Sequence, residues 1–327
     1  MLLVANFFRP LSLALLISLL SLSEAKSWGF YAHEKIHQHA VFYQPPELYA
    51  LFKAHLDEIV ENSVAADERR FVDDSEGHRH YIDIDVYGKY PFEELPRDWE
   101  DAKAKFGEDS LKEYGTAPWA IENFFEDLVQ AFKDKDRSQI IRIAADLGHY
   151  VSDINSPLHT TENYNGQFTG QEGIHSLWES RLPELFADEY DLLIEDPYYV
   201  KDPLDRAFDI VLEAHPSVDS LLRIEREVRN SFPGDALYVY EERGQQRRRM
   251  RSQAFCRAYS DAMDGMVERF FRKSIHDVAS FWYSAWVKAG QPEFSADPEE
   301  FRKTLEIEPT NEYINTSPED FEGRPDK

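Results

Sequence analysis

Apolar residues recur at helical spacing along most of this chain. After Pro118, a residue suited to the first turn of a helix, Ile121, Phe124, Phe125, Leu128 and Phe132 fall at intervals of three and four and mark one buried face. Ile140, Ile143, Ala144, Leu147, Val151 and Ile154 make a second stripe. Ile275, Val278, Ala279, Trp282, Trp286 and Ala289 make a third, which Gly290 and Pro292 end. Period-two alternation is short and confined to Tyr81–Tyr87. With no internal repeat and no sign of a second core, residues 28–294 are expected to form one all-α, compact multi-helix domain.

The two ends differ from this middle. Residues 1–27 carry Arg9, then an apolar run from Leu11 to Leu20, then the small residues Ser21, Ser23, Ala25 and Ser27. That is the order of a cleaved signal peptide, with an apolar run too short to span a bilayer comfortably. Cleavage can follow Ala25 or Ser27, and the second site would make Trp28 the first residue of the mature protein. The expected location is secreted or periplasmic, with no transmembrane segment left after processing. Residues 295–327 are acidic, with few aromatics, and are expected to form a disordered or loosely packed tail.

A single cysteine, Cys256, rules out an internal disulfide and reads as a buried core thiol, so stability must come from the core or from bound metal. The net charge of −26 argues against a broad docking surface for phosphate polymers. It leaves phosphate chemistry open at a buried metal centre, which brings its own positive charge.

The polar positions point to such a centre. His149 and Asp153 stand four residues apart, so both leave the helix on the side opposite its apolar stripe. Small residues beside them, Ala145, Gly148 and Ser152, would admit a second backbone. Alone, such a pair is common on a helix surface. However, His159 follows shortly after, and His175 with Glu179 repeats the four-residue spacing beside Trp178 and Leu182. Adding Trp28, His33, Asp67 and His80 makes a set too large for one ion at three or four ligands each. Two or three zinc ions are the expectation.

In that order these residues resemble the trinuclear-zinc phosphoesterases, the superfamily of bacterial zinc-dependent phospholipases C and the secreted single-strand-specific nucleases of fungi and plants. The resemblance lies in Trp28-Gly29 with His33, Asp67, His80-Tyr81-Ile82-Asp83, His149 with Asp153, Pro157 and His159, and His175-Ser176 with Glu179. It implies an all-helical fold and three Zn2+ ions. One would take Asp67, His80, His149 and Asp153, the second His159, His175 and Glu179. The third would take the amine and carbonyl of Trp28 with His33, sharing Asp153 as a bridge. It also implies a phosphodiesterase working by metal-bound hydroxide attack on phosphorus, with Asp67 orienting or deprotonating the water.

The two branches leave mixed marks. Glu179, the Gly173 to Ser176 lead-in and the absence of disulfides look like the phospholipase branch, whereas Trp28-Gly29 with His33 looks like the nuclease branch. The reading leans to a phospholipid substrate, with single-stranded nucleic acid as the alternative and no stable protein partner in view. A non-catalytic zinc-binding protein is the reading of a different class. Arg69, next to Arg70 and close to Asp67 in sequence, and Asn163 and Tyr164, in the loop after His159, are the expected substrate contacts. The arginines between Arg243 and Arg251 read as a solvated helix face paired with Glu241 and Glu242, with docking of lipid headgroups or nucleic acid as the alternative, and His37 reads as a surface group or one supporting the ligands.

Overall fold

The computed structural model describes residues 29–243 and 246–294; the expected signal peptide, Trp28 and the acidic tail lie outside them. The described chain is mostly helical. Its helices are α1 (Phe30–Phe42), α2 (Pro46–Ala54), α3 (Leu56–Asn62), α4 (Ala65–Arg69), α5 (Trp99–Phe106), α6 (Glu108–Tyr114), α7 (Ala117–Asp134), α8 (Arg137–Ile154), α9 (Ile174–Ser176), α10 (Leu182–Phe186), α11 (Pro203–Ala214), α12 (Ser217–Ser231), α13 (Gln253–Ala262) and α14 (Met266–Lys288). Among the described residues no helix is long and apolar enough to cross a membrane.

The three sequence stripes are α7, α8 and α14. A left-handed Lys135 ends α7, and Asp136 caps α8 by accepting from the Gln139 N–H. Helix α14 starts at Met266 rather than at Ile275, because Val267, Phe270 and Phe271 continue its buried face. Helices α1, α3, α7, α11 and α14 pack around α8, and every α8 residue from Ile143 to Ile154 is buried. His149 and Asp153 do leave α8 opposite the apolar stripe, but that side is enclosed as well. A helix buried all round must find partners for its polar side chains, which makes α8 the natural backbone of a polar site.

Gly148 sets how closely α1 and α14 approach α8. A Cβ there would lie 2.5 Å from His37 Nε2 and 3.1 Å from Trp282 Cζ2. His37 is therefore buried, not at the surface. Its ring nitrogens lie 2.8 Å from the His33 carbonyl and 3.0 Å from that of Ala145, and burial with His33 nearby pushes its pKa down to about 3. Gly→Ala in a helix ordinarily stabilises by about 1 kcal/mol. At Gly148 the sign should reverse, with Gly148→Ala costing about 1–3 kcal/mol through overpacking. Urea denaturation checks this, and an unchanged or higher midpoint would contradict it.

The arginine-rich segment is a strand, not a helix face. Strands β1 (Tyr238–Arg243) and β2 (Gln246–Arg251) pair antiparallel, with Glu241 opposite Arg248 and Glu242 opposite Arg247. The register thus sets Glu241 and Glu242 opposite arginines across the strands rather than along a helix, while the Glu241 carboxylate accepts from Arg181. Tyr81–Tyr87 is no strand: its Ile82 and Asp83 N–H groups donate to the carbonyls of His159 and Tyr114, and a 3-10 turn follows from Ile84 to Tyr87.

Candidate metal centre

Separate elements bring the expected ligands to one buried place. Helix α8 carries His149 and Asp153, α1 carries His33 and α4 carries Asp67. Two 3-10 turns, Gly77–His80 and Pro157–Thr160, supply His80 and His159. His175 lies on α9, and Glu179 lies on the π-turn Leu177–Arg181 that follows it, a type of distortion frequent at functional sites. Gly29 meets that turn directly: its N–H donates to the Glu179 carbonyl at 3.0 Å, and a Cβ at Gly29 would strike Ser180.

Two clusters result. In the first, His149 Nε2 and His80 Nδ1 are 3.0 Å apart, and they lie 3.3 and 3.0 Å from Asp153 Oδ2. Asp67 Oδ1 is 3.7 Å from His80 Nδ1 and 3.9 Å from His149 Nε2. In the second, His175 Nε2 and His159 Nε2 are 3.1 Å apart, and Glu179 Oε2 lies 2.7 and 3.3 Å from them. Asp153 faces two ways, because its other oxygen lies 3.3 Å from His33 Nε2 and accepts no hydrogen bond. The groups able to hold a metal are His80 with His149 and Asp153, His159 with His175 and Glu179, and His33 with Asp67 and His149.

The spacing fits metal. A tetrahedral ion with bonds of about 2.0–2.1 Å holds its ligand atoms about 3.3 Å apart, close to what both clusters show. Electrostatics agree. Burial opposes charge on His149 and His159, yet Asp153 with Asp67 holds the first up to about 9, and Glu179 with Asp153 holds the second up to about 9. Burial also disfavours an ionised Glu179, but His175 and His159 hold it down at about 2. Protons on these rings stand where a metal cation would.

Neighbouring groups fix the rings. His149 Nδ1 faces the Ser63 carbonyl at 2.7 Å, and His159 Nδ1 faces that of His80 at 2.6 Å. Each ring therefore donates outward from Nδ1 and leaves Nε2 facing the cluster, where a metal would take the place of the proton. Ser152 Oγ lies 3.0 Å from His33 Nδ1, and Ser156 donates to Glu179. Glu76, with one oxygen 3.6 Å from His80 Nε2, is held by Arg69, Arg79 and Tyr150. Sequence reasoning missed Glu76 and the serines. The four-residue spacing of Glu76 and His80, and the nearness of Ser152 and Ser156 to Asp153, could have signalled them.

The expected substrate contacts divide. Arg69 is occupied by Asp146 at 2.9 Å, Glu76 at 3.2 Å and Tyr150 at 3.3 Å. Arg70 is the one of the pair that reaches the cluster, 3.1 Å from Asp67 Oδ1. Asn163 braces its own loop, accepting from the Phe168 N–H and donating to Thr169, while the buried Tyr164 ring packs edge-on against His175. No protein-family model matches the chain, and no curated protein matches it.

Proposed function

We propose that this chain is an exported zinc-dependent phosphodiesterase with phospholipase C-like chemistry. The observation that carries the reading is the convergence of His33, Asp67, His80, His149, Asp153, His159, His175 and Glu179 in one buried centre at metal-ligand spacing. Bound zinc supplies positive charge for the phosphate and lowers the pKa of water to near neutrality. The protein supplies orientation and proton handling. Asp67 remains ionised although buried, since His149 and Arg70 hold its pKa below the usual carboxylate range, so it can accept a hydrogen bond from the attacking water and steer it. Arg70 adds a guanidinium beside it. The Ser63 carbonyl, Ser152 and Ser156 keep the ligands from turning.

The cheap test is hydrolysis of bis(p-nitrophenyl) phosphate by zinc-loaded protein. Activity is expected, and Asp67→Asn should lower kcat by about 10²–10⁴, the usual worth of a positioned proton acceptor. A zinc-loaded protein without activity would instead be a zinc-binding protein. On natural diesters, phosphatidylcholine should be hydrolysed, single-stranded RNA or DNA more weakly and intact duplex not at all. Rapid digestion of single strands with phospholipid untouched would move the protein to the nuclease branch.

A further inference from the structure

Phe168 stands 65% exposed on a loop that keeps it there. Its N–H donates to Asn163 Oδ1 at 2.9 Å, Gln167 Nε2 donates to the Glu162 carbonyl at 2.6 Å, and the Thr169 and Gln171 N–H groups both donate to the Gly166 carbonyl. Held by so many bonds, the loop presents a bare apolar ring to water, which stabilises nothing in the isolated chain. The hairpin presents a second such surface. Tyr240 is 62% exposed, Arg247 and Arg249 are exposed, and the register puts Tyr238, Tyr240, Arg247, Arg249 and Arg251 on one face together with a single acidic residue, Glu242.

Both features are tied to the same buried carboxylate. Glu225 accepts from Gln171 Nε2 at 2.6 Å and from Arg251 Nη2 at 3.0 Å, and Arg229 donates to the Gly170 carbonyl at 2.9 Å. Arg181, on the turn that carries Glu179, grips Glu241 of β1, and Tyr164 of the Phe168 loop packs on His175. The exposed rings and arginines are thus built onto the frame of the metal centre.

We propose that Phe168 and the Tyr240, Arg247 and Arg249 face of the hairpin dock this protein on the surface of an anionic phospholipid bilayer. Charge complementarity is local: Arg247 and Arg249 are exposed on this face, with Arg251 beside them tied to Glu225, and outnumber the one acidic residue there, Glu242, within a chain of net charge −26. A nucleic-acid surface needs aromatic faces open for stacking. Here the guanidinium of Arg249 lies 3.6 Å from the centre of the Tyr238 ring and that of Arg247 lies 4.9 Å from the centre of Tyr240. A bilayer surface instead takes a bare ring at the acyl boundary, tyrosines at headgroup level and guanidiniums on the phosphates. The inference deepens the phosphodiesterase reading, on which it rests for the substrate's setting.

The test is sedimentation of the zinc-loaded protein with vesicles of phosphatidylcholine alone and with added phosphatidylglycerol, alongside turnover of bis(p-nitrophenyl) phosphate. Wild-type protein should bind the anionic vesicles. The double variant R247E/R249E should bind them at least about tenfold more weakly, and F168S should weaken binding further, with soluble-diester turnover and melting temperature retained. The milder pair R247A/R249A, expected to lose part of the binding, guards against misfolding of the charge-reversed protein. Wild-type protein that does not sediment with anionic vesicles, variants that bind as wild type, or loss confined to a single-stranded oligonucleotide would overturn the proposal. Lost vesicle binding in a series whose wild type never hydrolyses the soluble diester would keep the docking surface and defeat the enzyme reading.

Discussion

Stripping zinc with a strong chelator should lower the melting temperature of this protein by roughly 10–20 °C. Asp67, Asp153 and Glu179 are almost fully buried, and without a cation their main compensation is protonation of the histidines that face them, with Arg70 beside Asp67 and the Ser156 hydroxyl on Glu179. The chain has no disulfide to hold the surrounding elements, since Cys256 is its only cysteine. Structural zinc is worth about 10 kcal/mol or more per site against net domain stabilities of about 5–15 kcal/mol. Losing even about 5 kcal/mol moves the midpoint of a domain this size by about 2–4 °C for each kcal/mol. Calorimetry with and without chelator, with zinc removal confirmed, measures the shift. A midpoint unmoved in metal-free protein would show that the cluster is held by protons and packing alone.

Asp153→Asn should be the most damaging single change at the site. The substitution keeps shape and volume but replaces one of two oxygens that face different histidines, His33 on one side and His80 with His149 on the other. An amide cannot serve as an anionic ligand to both sides. We expect loss of bound zinc and a fall in kcat/KM for bis(p-nitrophenyl) phosphate of more than about a hundredfold, beyond what changes in outer hydrogen-bond partners cost. Ser156, whose hydroxyl donates to Glu179, provides that comparison: Ser156→Ala should cost about tenfold to a hundredfold with zinc retained. Equal effects of the two substitutions would contradict the bridging position of Asp153.

What the sequence made legible was periodicity and spacing. The stripes in α7, α8 and α14 are visible because a helix packed on one face repeats every three to four residues, and the His149/Asp153 and His175/Glu179 pairs because one helical turn puts both side chains together. The Arg243–Arg251 run was not legible. Arginine suits helices as well as strands, and the alternation of Tyr238 and Tyr240 on the facing segment is too brief to decide between them. The supports of the ligands were hidden for another reason. His149 and His159 lean on the carbonyls of Ser63 and His80, and a carbonyl carries no residue identity. Glu76 stands four residues before His80 and faces it, so the same spacing could have marked it; its other partners, Arg69 and Tyr150, come from α4 and α8 and left no pattern. Gly148 was legible as a small residue beside the ligand pair, but not the identity of what it admits, His37 and Trp282.

The most direct test of the account is the metal content of the protein, expressed from the full chain in a host able to secrete it, purified without added chelator or metal and measured by plasma mass spectrometry. The account predicts about three zinc ions per chain, falling in Asp153→Asn and retained in the hairpin variants. Protein that is folded and homogeneous yet carries less than about one zinc per chain, and takes up none on dialysis against zinc, would contradict it.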